Sequence, residues 1–354
     1  MIILSRAEHL FRGGIMSRKD NRILVINTGG TIGMQPSDKG LVPACEEFHR
    51  QLRMIPELYS DEMPGWDMID MEPLLDSSNI ALKEWNKIGQ TIADHYDQYT
   101  GFVILHGTDT MSYTASALSF MLENNNKPVI LTGSQIPLSM IRTDAKDNLI
   151  TSILLAADAR IHEVCLYFGG KLLRGNRSMK YSSDDLIAFE SPNYPALGEA
   201  GITIRLREEL LLPQRQGRFH LQKLENFPIG VIKVFPGIQF DLFDSIMTEK
   251  LKGIVVETFG AGNIPEHTDL LLPIIRKAAD QGTIILVCSQ CPHGTVSLGT
   301  YETSDLLRKA GAVSGYDITT EAAVAKLYYL FSCGLSRIEI KTGMEQDLCG
   351  EISG

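Results

Sequence analysis

Short apolar runs alternate with amphipathic stretches through the first 206 residues. Each run is four or five residues long and rich in β-branched side chains, which predicts buried strands at Ile23–Ile26, Phe102–Leu105, Pro128–Leu131 and Val164–Phe168. The stretches between them have one apolar face and predict helices at Ile88–His95, Thr114–Leu122 and Asn148–Ala159. Because strands that alternate with helices form parallel sheets covered on both faces, residues 22–206 are predicted to be a large, doubly wound, mostly parallel α/β domain.

The pattern changes between residues 207 and 227. This segment is charged and punctuated by Gln, Pro and Gly, so we interpret it as an interdomain connection with room for a short hairpin. The alternation then resumes and predicts a smaller α/β domain over residues 228–354, with strands and helices at Gly230–Phe235, Gly253–Phe259, Leu270–Asp280, Thr283–Cys288 and Glu321–Leu330. Residues 1–21 are predicted to be a disordered extension rather than a secretion signal, because Arg6, Glu8, His9 and Arg12 interrupt the long apolar run that a signal needs.

Composition narrows the classes of function. The formal net charge is −10 and no basic stripe offsets it, which argues against nucleic-acid binding. No apolar run approaches the ~20 residues that span a bilayer, so no membrane partner is expected. Six cysteines in 354 residues, several of them in apolar runs, predict reduced thiols in a cytoplasmic protein. Cys288 and Cys291 lack a second ligand pair, and no His-Glu-x-x-His helix occurs, so no metal or other cofactor is predicted.

Hydroxyl side chains and glycines follow three of the predicted strands, in the segments Asn27–Gly33, His106–Thr110 and Thr132–Gln135. Ligands of parallel α/β sheets bind at the carboxyl ends of the strands. One such segment would be ordinary turn chemistry, since Gly, Ser and Thr favour turns. Three of them at one edge favour a ligand site.

The first of these segments is not a nucleotide loop. Thr28 stands where a dinucleotide fingerprint needs glycine, and the Gly-Lys-Ser/Thr of a phosphate loop is absent. A tight turn at positive φ is the competing interpretation. We favour a ligand loop, because Thr28 and Thr31 flank two glycines that allow close approach to backbone N–H groups able to hold an oxyanion.

The second segment places a hydroxyl beside a carboxylate. Thr108 is a candidate nucleophile or proton relay. Asp109 either meets a cation, such as a ligand ammonium, or caps the helix that follows, and spacing favours neither. Farther along, Arg142 and Asp144 are interpreted as an ion pair at the entry of a helix.

Two blocks, Thr28–Gly33 and His106–Thr110, resemble the signature motifs of the bacterial-type L-asparaginase family. Further blocks agree and are most similar to the cytoplasmic type I enzymes: Asp76–Ser78, Leu118–Asn124, Thr132–Gln135 and Arg174–Arg177. The resemblance spans roughly residues 22 to 345. It implies a large N-terminal domain, a smaller C-terminal domain, and a homotetramer built as a dimer of dimers.

The same resemblance implies roles for individual residues. It implies that Thr31 is the nucleophile and that Thr108, Asp109 and Lys180 form a second catalytic group. Members of the family usually carry a tyrosine in the first loop, where this chain has Leu41, and Tyr301 is the implied substitute for it. Implied contacts to the substrate come from Gly30, Asp76, Ser77 and Ser78, with Thr108 and Asp109. The reaction implied is hydrolysis of L-asparagine, and weakly of L-glutamine, through an acyl-threonine and without a cofactor.

Two other functions remain as alternatives. One is the related subunit that releases ammonia for tRNA-dependent amidation, which would need an added N-terminal module, whereas only about twenty residues precede Ile23. The other is a non-catalytic amino-acid sensor, which would lose Thr31, Thr108 or Lys180. The order in which the threonines react stays open. It also stays open whether burial or the charge of Asp109 decides the protonation of Lys180.

Overall fold

The computed structural model describes residues 21–38, 40–243, 245–265, 271–300 and 302–353. Within them, the first half of the chain forms an eight-stranded sheet in the order β8-β7-β6-β5-β4-β3-β1-β2. Its strands are β1 (Arg22–Gly29), β2 (Gly65–Leu75), β3 (Gly101–Leu105), β4 (Val129–Thr132), β5 (Val164–Phe168), β6 (Lys171–Arg174), β7 (Gly198–Ala200) and β8 (Ile204–Leu206). Strands β1 to β5 pair in parallel, and β6 to β8 complete the sheet in antiparallel fashion.

The strand order reverses at β1. Ile23 is opposite Trp66 of β2 on one side and Gly101 of β3 on the other, so the chain moves outward to β2 and then returns past β1 to β3. Connections on the two sides of such a reversal diverge and leave a crevice at the carboxyl ends of the strands. The loops after β1 and β3 border this crevice.

Four helices cover the sheet: α1 (Cys45–Arg53), α2 (Leu82–His95), α3 (Met111–Met121) and α4 (Ala145–Ala156). Successive side chains of a strand point to opposite faces, so Leu24 packs with α2 and α3, while its neighbour Val25 packs with α1 and α4. Both faces of the sheet are therefore buried, which confirms the doubly wound fold. Strand β2 and helix α1 were not predicted.

The second half of the chain builds a smaller parallel sheet in the order β9-β10-β11-β12. Its strands are β9 (Ile229–Lys233), β10 (Gly253–Thr258), β11 (Ile284–Ser289) and β12 (Val313–Ser314), and its helices are α5 (Leu271–Asp280), α6 (Glu302–Lys309), α7 (Thr320–Ser332) and α8 (Arg337–Glu345). Helices α5 and α6 pack on one face, and α7 and α8 on the other. The predicted smaller α/β domain is confirmed.

The segment between the two sheets lies on the first one. It forms no hairpin of its own; its residues His220–Leu221 pair with Leu122–Glu123, just after α3. Residues 1–20, most of the predicted extension, lie outside the described part of the chain.

Helix α7 packs against α3 and joins the two halves. Tyr329 stacks on Phe120 with ring centroids 5.8 Å apart, and its hydroxyl donates to Glu123 Oε1 at 2.6 Å. The C-terminal tail is fixed by ionic contacts: Lys326 Nζ lies 2.6 Å from Glu351 Oε1, and both side chains are fully buried. Among the helices of the described residues, none has the length and apolar character needed to cross a membrane.

Candidate active site

The loop after β1 is in close contact with the loop after β3. Gly29 and Gly30 have φ of +110° and +85°, a region that favours glycine. A Cβ at Gly30 would lie 2.3 Å from the amide nitrogen of Gly107. The tight-turn interpretation is therefore correct for the backbone, and the turn brings the loop directly against the residue before Thr108.

Two threonine hydroxyls of this loop differ in their surroundings. The buried Thr28 hydroxyl donates to the Leu105 carbonyl oxygen at 2.8 Å, so it serves the structure. Thr31 is half-buried and begins a short 3-10 turn, Thr31–Gly33. Within the described ranges its hydroxyl has no hydrogen-bond partner. The Thr31 hydroxyl is thus available to a ligand.

His106 is neutral and fixes the peptide that precedes Thr108. Trp85 Nε1 can only donate, and it donates to Thr114 Oγ1 at 2.9 Å. The Gly107 carbonyl oxygen can only accept, so His106 Nδ1–H donates to it at 2.7 Å, and Nε2 of the neutral ring accepts from the Thr114 hydroxyl at 2.8 Å. Burial lowers the pKa of His106 to about 4, against a smaller opposing effect of the Gly107 bond. His106 therefore orients the loop and is not a base in it.

A lysine joins the hydroxyl and the carboxylate of the second segment. Lys180 Nζ lies 2.7 Å from Thr108 Oγ1 and 2.7 Å from Asp109 Oδ1. The Lys180 side chain is 20% exposed, whereas that of Asp109 is 61% exposed. The Thr108 hydroxyl, which accepts from Lys180, donates to Gln135 Oε1 at 3.2 Å. Asp109 therefore meets a cation, and the alternative of a helix cap is not observed, since α3 begins after Thr110 without a side-chain cap.

Lys180 is held by structure on both sides. It pairs with Phe189 in a two-stranded ribbon formed by Met179–Lys180 and Phe189–Glu190. Three residues upstream, the buried Arg177 binds Asp317 Oδ2 at 2.9 Å and the Gly350 carbonyl oxygen at 2.8 Å. The position of the ammonium group thus depends on residues from the second half of the chain.

The third segment is fixed by Asp144. The backbone N–H groups of Gln135 and Ile136 each donate to the Asp144 carboxylate at 3.0 Å. The expected ion pair of Asp144 with Arg142 is wrong: Arg142 is exposed, and no ion pair joins the two in the described structure. Two backbone donors satisfy the carboxylate instead, which orients Gln135 toward Thr108. An Asp just before a helix that follows a strand-end loop is the sequence signal that could have revealed this role.

The loop after β2 joins the same edge of the sheet. The Asp109 N–H donates to Ser77 Oγ at 3.2 Å, and the Thr110 hydroxyl donates to the Ser77 carbonyl oxygen at 2.7 Å. Asp76 accepts from the Ser78 N–H at 3.0 Å and from the Ser78 hydroxyl at 3.1 Å. Ser77 is buried, whereas Asp76 and Ser78 are exposed. The predicted segments Asn27–Gly33, His106–Thr110 and Thr132–Gln135 therefore meet, and Ser77 attaches the loop after β2 to the second of them.

Tyr301 lies outside the described residues, so its predicted role stays a prediction. Leu41, at the position of the first-loop tyrosine, is exposed on the ribbon that pairs Gly40–Pro43 with Met34–Ser37.

Comparison with known families identifies the chain over most of its length. Residues 22–212 match the family described as "Asparaginase, N-terminal", and residues 228–344 match "Glutaminase/Asparaginase C-terminal domain". The chain belongs to the asparaginase family. The family assignment predicted from the motifs is confirmed.

Individual relatives agree with this assignment. The chain is 44% identical to L-asparaginase 1 of Escherichia coli over 331 residues, which cover 94% of this chain and 98% of that protein. It is also 40% identical to a 60 kDa lysophospholipase of Mus musculus, covering 94% of this chain and 63% of that protein. The structure of L-asparaginase I from Vibrio cholerae superposes with a TM-score of 0.87 at 44% identity, covering 94% of this chain and 99% of that one.

Proposed function

We propose that this asparaginase-family chain hydrolyses L-asparagine to L-aspartate and ammonia through an acyl-threonine intermediate. The observation that carries the proposal is the position of Lys180 Nζ, 2.7 Å from both Thr108 Oγ1 and Asp109 Oδ1, on a loop whose Gly107 packs against Gly30, the residue before Thr31. The names of the Escherichia coli and Vibrio cholerae relatives support the same substrate.

The site offers a complement for each charged end of asparagine. The exposed carboxylate of Asp109 supplies a negative charge for the α-ammonium group. The exposed Ser78 hydroxyl donates to Asp76 Oδ1 at 3.1 Å in the free protein, and in the proposed complex it rotates to donate to the α-carboxylate instead. Gly30 and Thr108 border the remaining space, where the side-chain amide is expected to lie.

Thr31 is the nucleophile in this proposal, because its hydroxyl is not engaged by the described part of the protein. The hydroxyl of Thr108 is already engaged twice, by Lys180 as donor and by Gln135 as acceptor. This arrangement suits Thr108 to relay protons rather than to attack. Lys180, between Thr108 and Asp109, completes a polar chain along which a proton can move.

The reaction then proceeds in two steps. As the Thr31 O–H bond breaks and its proton passes to the relay that begins at Thr108, the Thr31 oxygen bonds to the side-chain amide carbon and the carbonyl electrons form an oxyanion. The Thr31 N–H group is the loop donor proposed to stabilise it, because the Gly29 and Gly30 N–H groups already donate to Asn27 Oδ1 and to the Leu75 carbonyl oxygen. Collapse breaks the carbon–nitrogen bond, and the departing nitrogen takes from the relay the proton that Thr31 lost and leaves as ammonia. Water then adds to the ester, its proton returns to the Thr31 oxygen, and aspartate leaves.

The proposal includes a homotetramer, a dimer of dimers, in the cytoplasm. All six cysteines lie in the described part of the chain and are free thiols, which suits a reducing compartment. Ile141 and Ile202 are fully exposed apolar side chains, which suits burial between subunits. Light scattering of the purified protein tests the assembly and should give four chains of 39.2 kDa.

The primary test is ammonia release from L-asparagine, L-glutamine and D-asparagine without added metal or nucleotide. L-Asparagine should react best. L-Glutamine differs by one methylene, which is worth about 1–3 kcal/mol in a binding pocket, so its kcat/KM should be about 10- to 200-fold lower. Absence of ammonia release with all three amides would refute the proposal. Binding of L-asparagine without turnover would indicate a sensor instead.

Substitutions test the two threonines separately. Thr31→Ala and Thr108→Ala should each lower kcat by about 10²- to 10⁴-fold, the range for loss of a positioned nucleophile or proton-transfer group. Thr91→Ala is the matched control, since that exposed hydroxyl only donates to the Lys87 carbonyl oxygen. Acid-quenched Thr108→Ala should carry an aspartyl group on the peptide that contains Thr31. An aspartyl group on another peptide, or unchanged turnover in Thr108→Ala, would contradict the assigned roles.

A further inference from the structure

A thiol, an imidazole and a carboxylate converge outside the proposed active site. Cys45 and His49 lie one turn apart on α1, and Asp70 lies on β2. One donor atom from each residue lies within 4.8 Å of the others. All three residues are half-buried, so solvent ions can reach them. The proposed hydrolysis uses none of them.

The arrangement does not suit a cysteine nucleophile. In such a site the imidazole lies between the thiol and the carboxylate and removes the thiol proton. Here His49 Nε2 lies 2.6 Å from Asp70 Oδ2, and the Cys45 thiol also bonds to Asp70. Burial first, and then the bond to Asp70, raise the pKa of Cys45. The thiol is therefore not activated for attack.

We infer that Cys45, His49 and Asp70 form a binding site for Zn²⁺ or a similar divalent transition-metal ion, with water as the fourth ligand. Thiolate, imidazole and carboxylate are the ligand types that Zn²⁺ takes in proteins, and three protein ligands leave an open coordination position. Binding breaks the Cys45 S–H bond, forms the metal–sulfur bond and releases the proton to solvent.

The distances fit such an ion after small movements. Bonds of about 2.0–2.3 Å at tetrahedral angles separate ligand atoms by about 3.3–3.8 Å. On binding, the distance of 2.6 Å between His49 Nε2 and Asp70 Oδ2 must therefore increase by about 0.7 Å or slightly more. The three ligand atoms lie within 4.8 Å of one another, so no other pair must approach by more than about 1 Å. The carboxylates of Glu46 and Glu72 lie close enough to act on Cys45, and their negative charge favours a divalent cation.

The site is connected to the first active-site loop. Asp70 Oδ1 accepts from Asn27 Nδ2 at 2.7 Å, and Asn27 Oδ1 accepts from the Gly29 N–H at 3.1 Å. Gly29 precedes Gly30 and Thr31. A cation that binds Asp70 Oδ2 draws the carboxylate away from this arrangement, so occupancy should lower turnover. This consequence rests on the proposed function, whereas metal binding itself does not.

Metal binding is tested with the full-length, tag-free, reduced and chelator-treated protein, using Co²⁺ as a spectroscopic probe and Zn²⁺ in competition with a chromophoric chelator. The wild type should bind one equivalent and show cobalt–thiolate charge-transfer absorption. Cys45→Ser should abolish that absorption. Cys45→Ser and His49→Gln should each lower affinity by at least about 10-fold, since loss of a second-shell partner alone costs about 10- to 100-fold.

Cys291→Ser is the matched control, because Cys291 is an exposed free thiol elsewhere in the chain. It should bind Co²⁺ and Zn²⁺ as the wild type does. Absence of stoichiometric binding to the wild type, or unchanged binding by Cys45→Ser, would overturn the inference.

The coupling is tested by ammonia release with and without one equivalent of Zn²⁺. Zn²⁺ should slow the wild type at least two-fold and leave Cys45→Ser unaffected. Stoichiometric binding at the three ligands with no effect on turnover would overturn the coupling but not the site. Loss of the proposed function would appear differently, as absence of ammonia release before any metal is added.

Discussion

Replacement of Gly30 by alanine tests the contact between the two loops that border the crevice. The added Cβ would lie 2.3 Å from the Gly107 nitrogen and 2.5 Å from its Cα. Ordinary contacts of a Cβ begin near 3.4 Å, so one loop must move by about 1.1 Å, the difference between 3.4 and 2.3 Å. The neighbouring atoms are backbone, and no flexible side chain can absorb the movement.

The expected loss follows from that displacement. A shift of about 1 Å in a group that positions reacting atoms costs about 10²-fold in rate, equivalent to about 2.7 kcal/mol. Gly30 also has φ +85° and ψ 175°, a region almost confined to glycine, which costs about 1–3 kcal/mol of stability for other residues. We therefore expect kcat/KM for ammonia release to fall about 100-fold in a protein that still folds.

Gly237→Ala separates strain from displacement. Gly237 has a nearly identical φ of +86°, but no atom lies within 4 Å of its added Cβ. Both variants should lose stability in urea denaturation, and only Gly30→Ala should lose activity. A folded Gly30→Ala protein with kcat/KM within three-fold of the wild type would refute the proposal that catalysis depends on the position of these two loops.

Three further perturbations address the polar groups around the site. Lys180→Met should lower kcat by about 10²- to 10⁴-fold in steady-state assays, because Thr108 and Asp109 lose the ammonium group that donates to both. Retention of a tenth of the wild-type kcat would contradict this expectation. Lys326→Met leaves the Glu351 carboxylate buried without its cation, so the free energy of unfolding measured with urea should fall by about 3–5 kcal/mol. A loss under about 1 kcal/mol would contradict this expectation. His106 should remain neutral in NMR titrations until pH approaches its pKa of about 4. The unfolded chain binds that proton near pH 6.5, so the free energy of unfolding should fall by up to about 3 kcal/mol as pH drops from about 6.5 to about 4. Titration of His106 near pH 6.5 in the folded protein would contradict this prediction.

The sequence predicts the parts of the site that lie at the ends of buried strands. Strands β1 and β3 are continuous apolar runs, so their ends, and with them Thr31 and Thr108, can be located by pattern alone. Lys180 is different. Its neighbours along the chain give no periodic signal, and only the resemblance assigned it to the site.

Other contacts depend on tertiary structure and leave no local pattern. Strand β2 contains Asp67, Asp70 and Pro73, and its half-exposed side chains hide the alternation expected of a strand. Asp144 accepts from the N–H groups of Gln135 and Ile136, which are near in sequence. That it binds these donors rather than Arg142 is determined by the geometry of the loop. The proposed ligands Cys45 and Asp70 are 25 residues apart, and they meet because β2 pairs with β1 while α1 packs on β1.

The attachment of Arg177 to Gly350 and Ser353 has a practical consequence. Its guanidinium group contacts the Gly350 carbonyl oxygen at 2.8 Å and the Ser353 hydroxyl at 2.9 Å, three residues away from Lys180 along the backbone. Removal of Gly350 and the residues after it would therefore take away the support of that lysine. Variants intended for kinetic work should keep this segment intact.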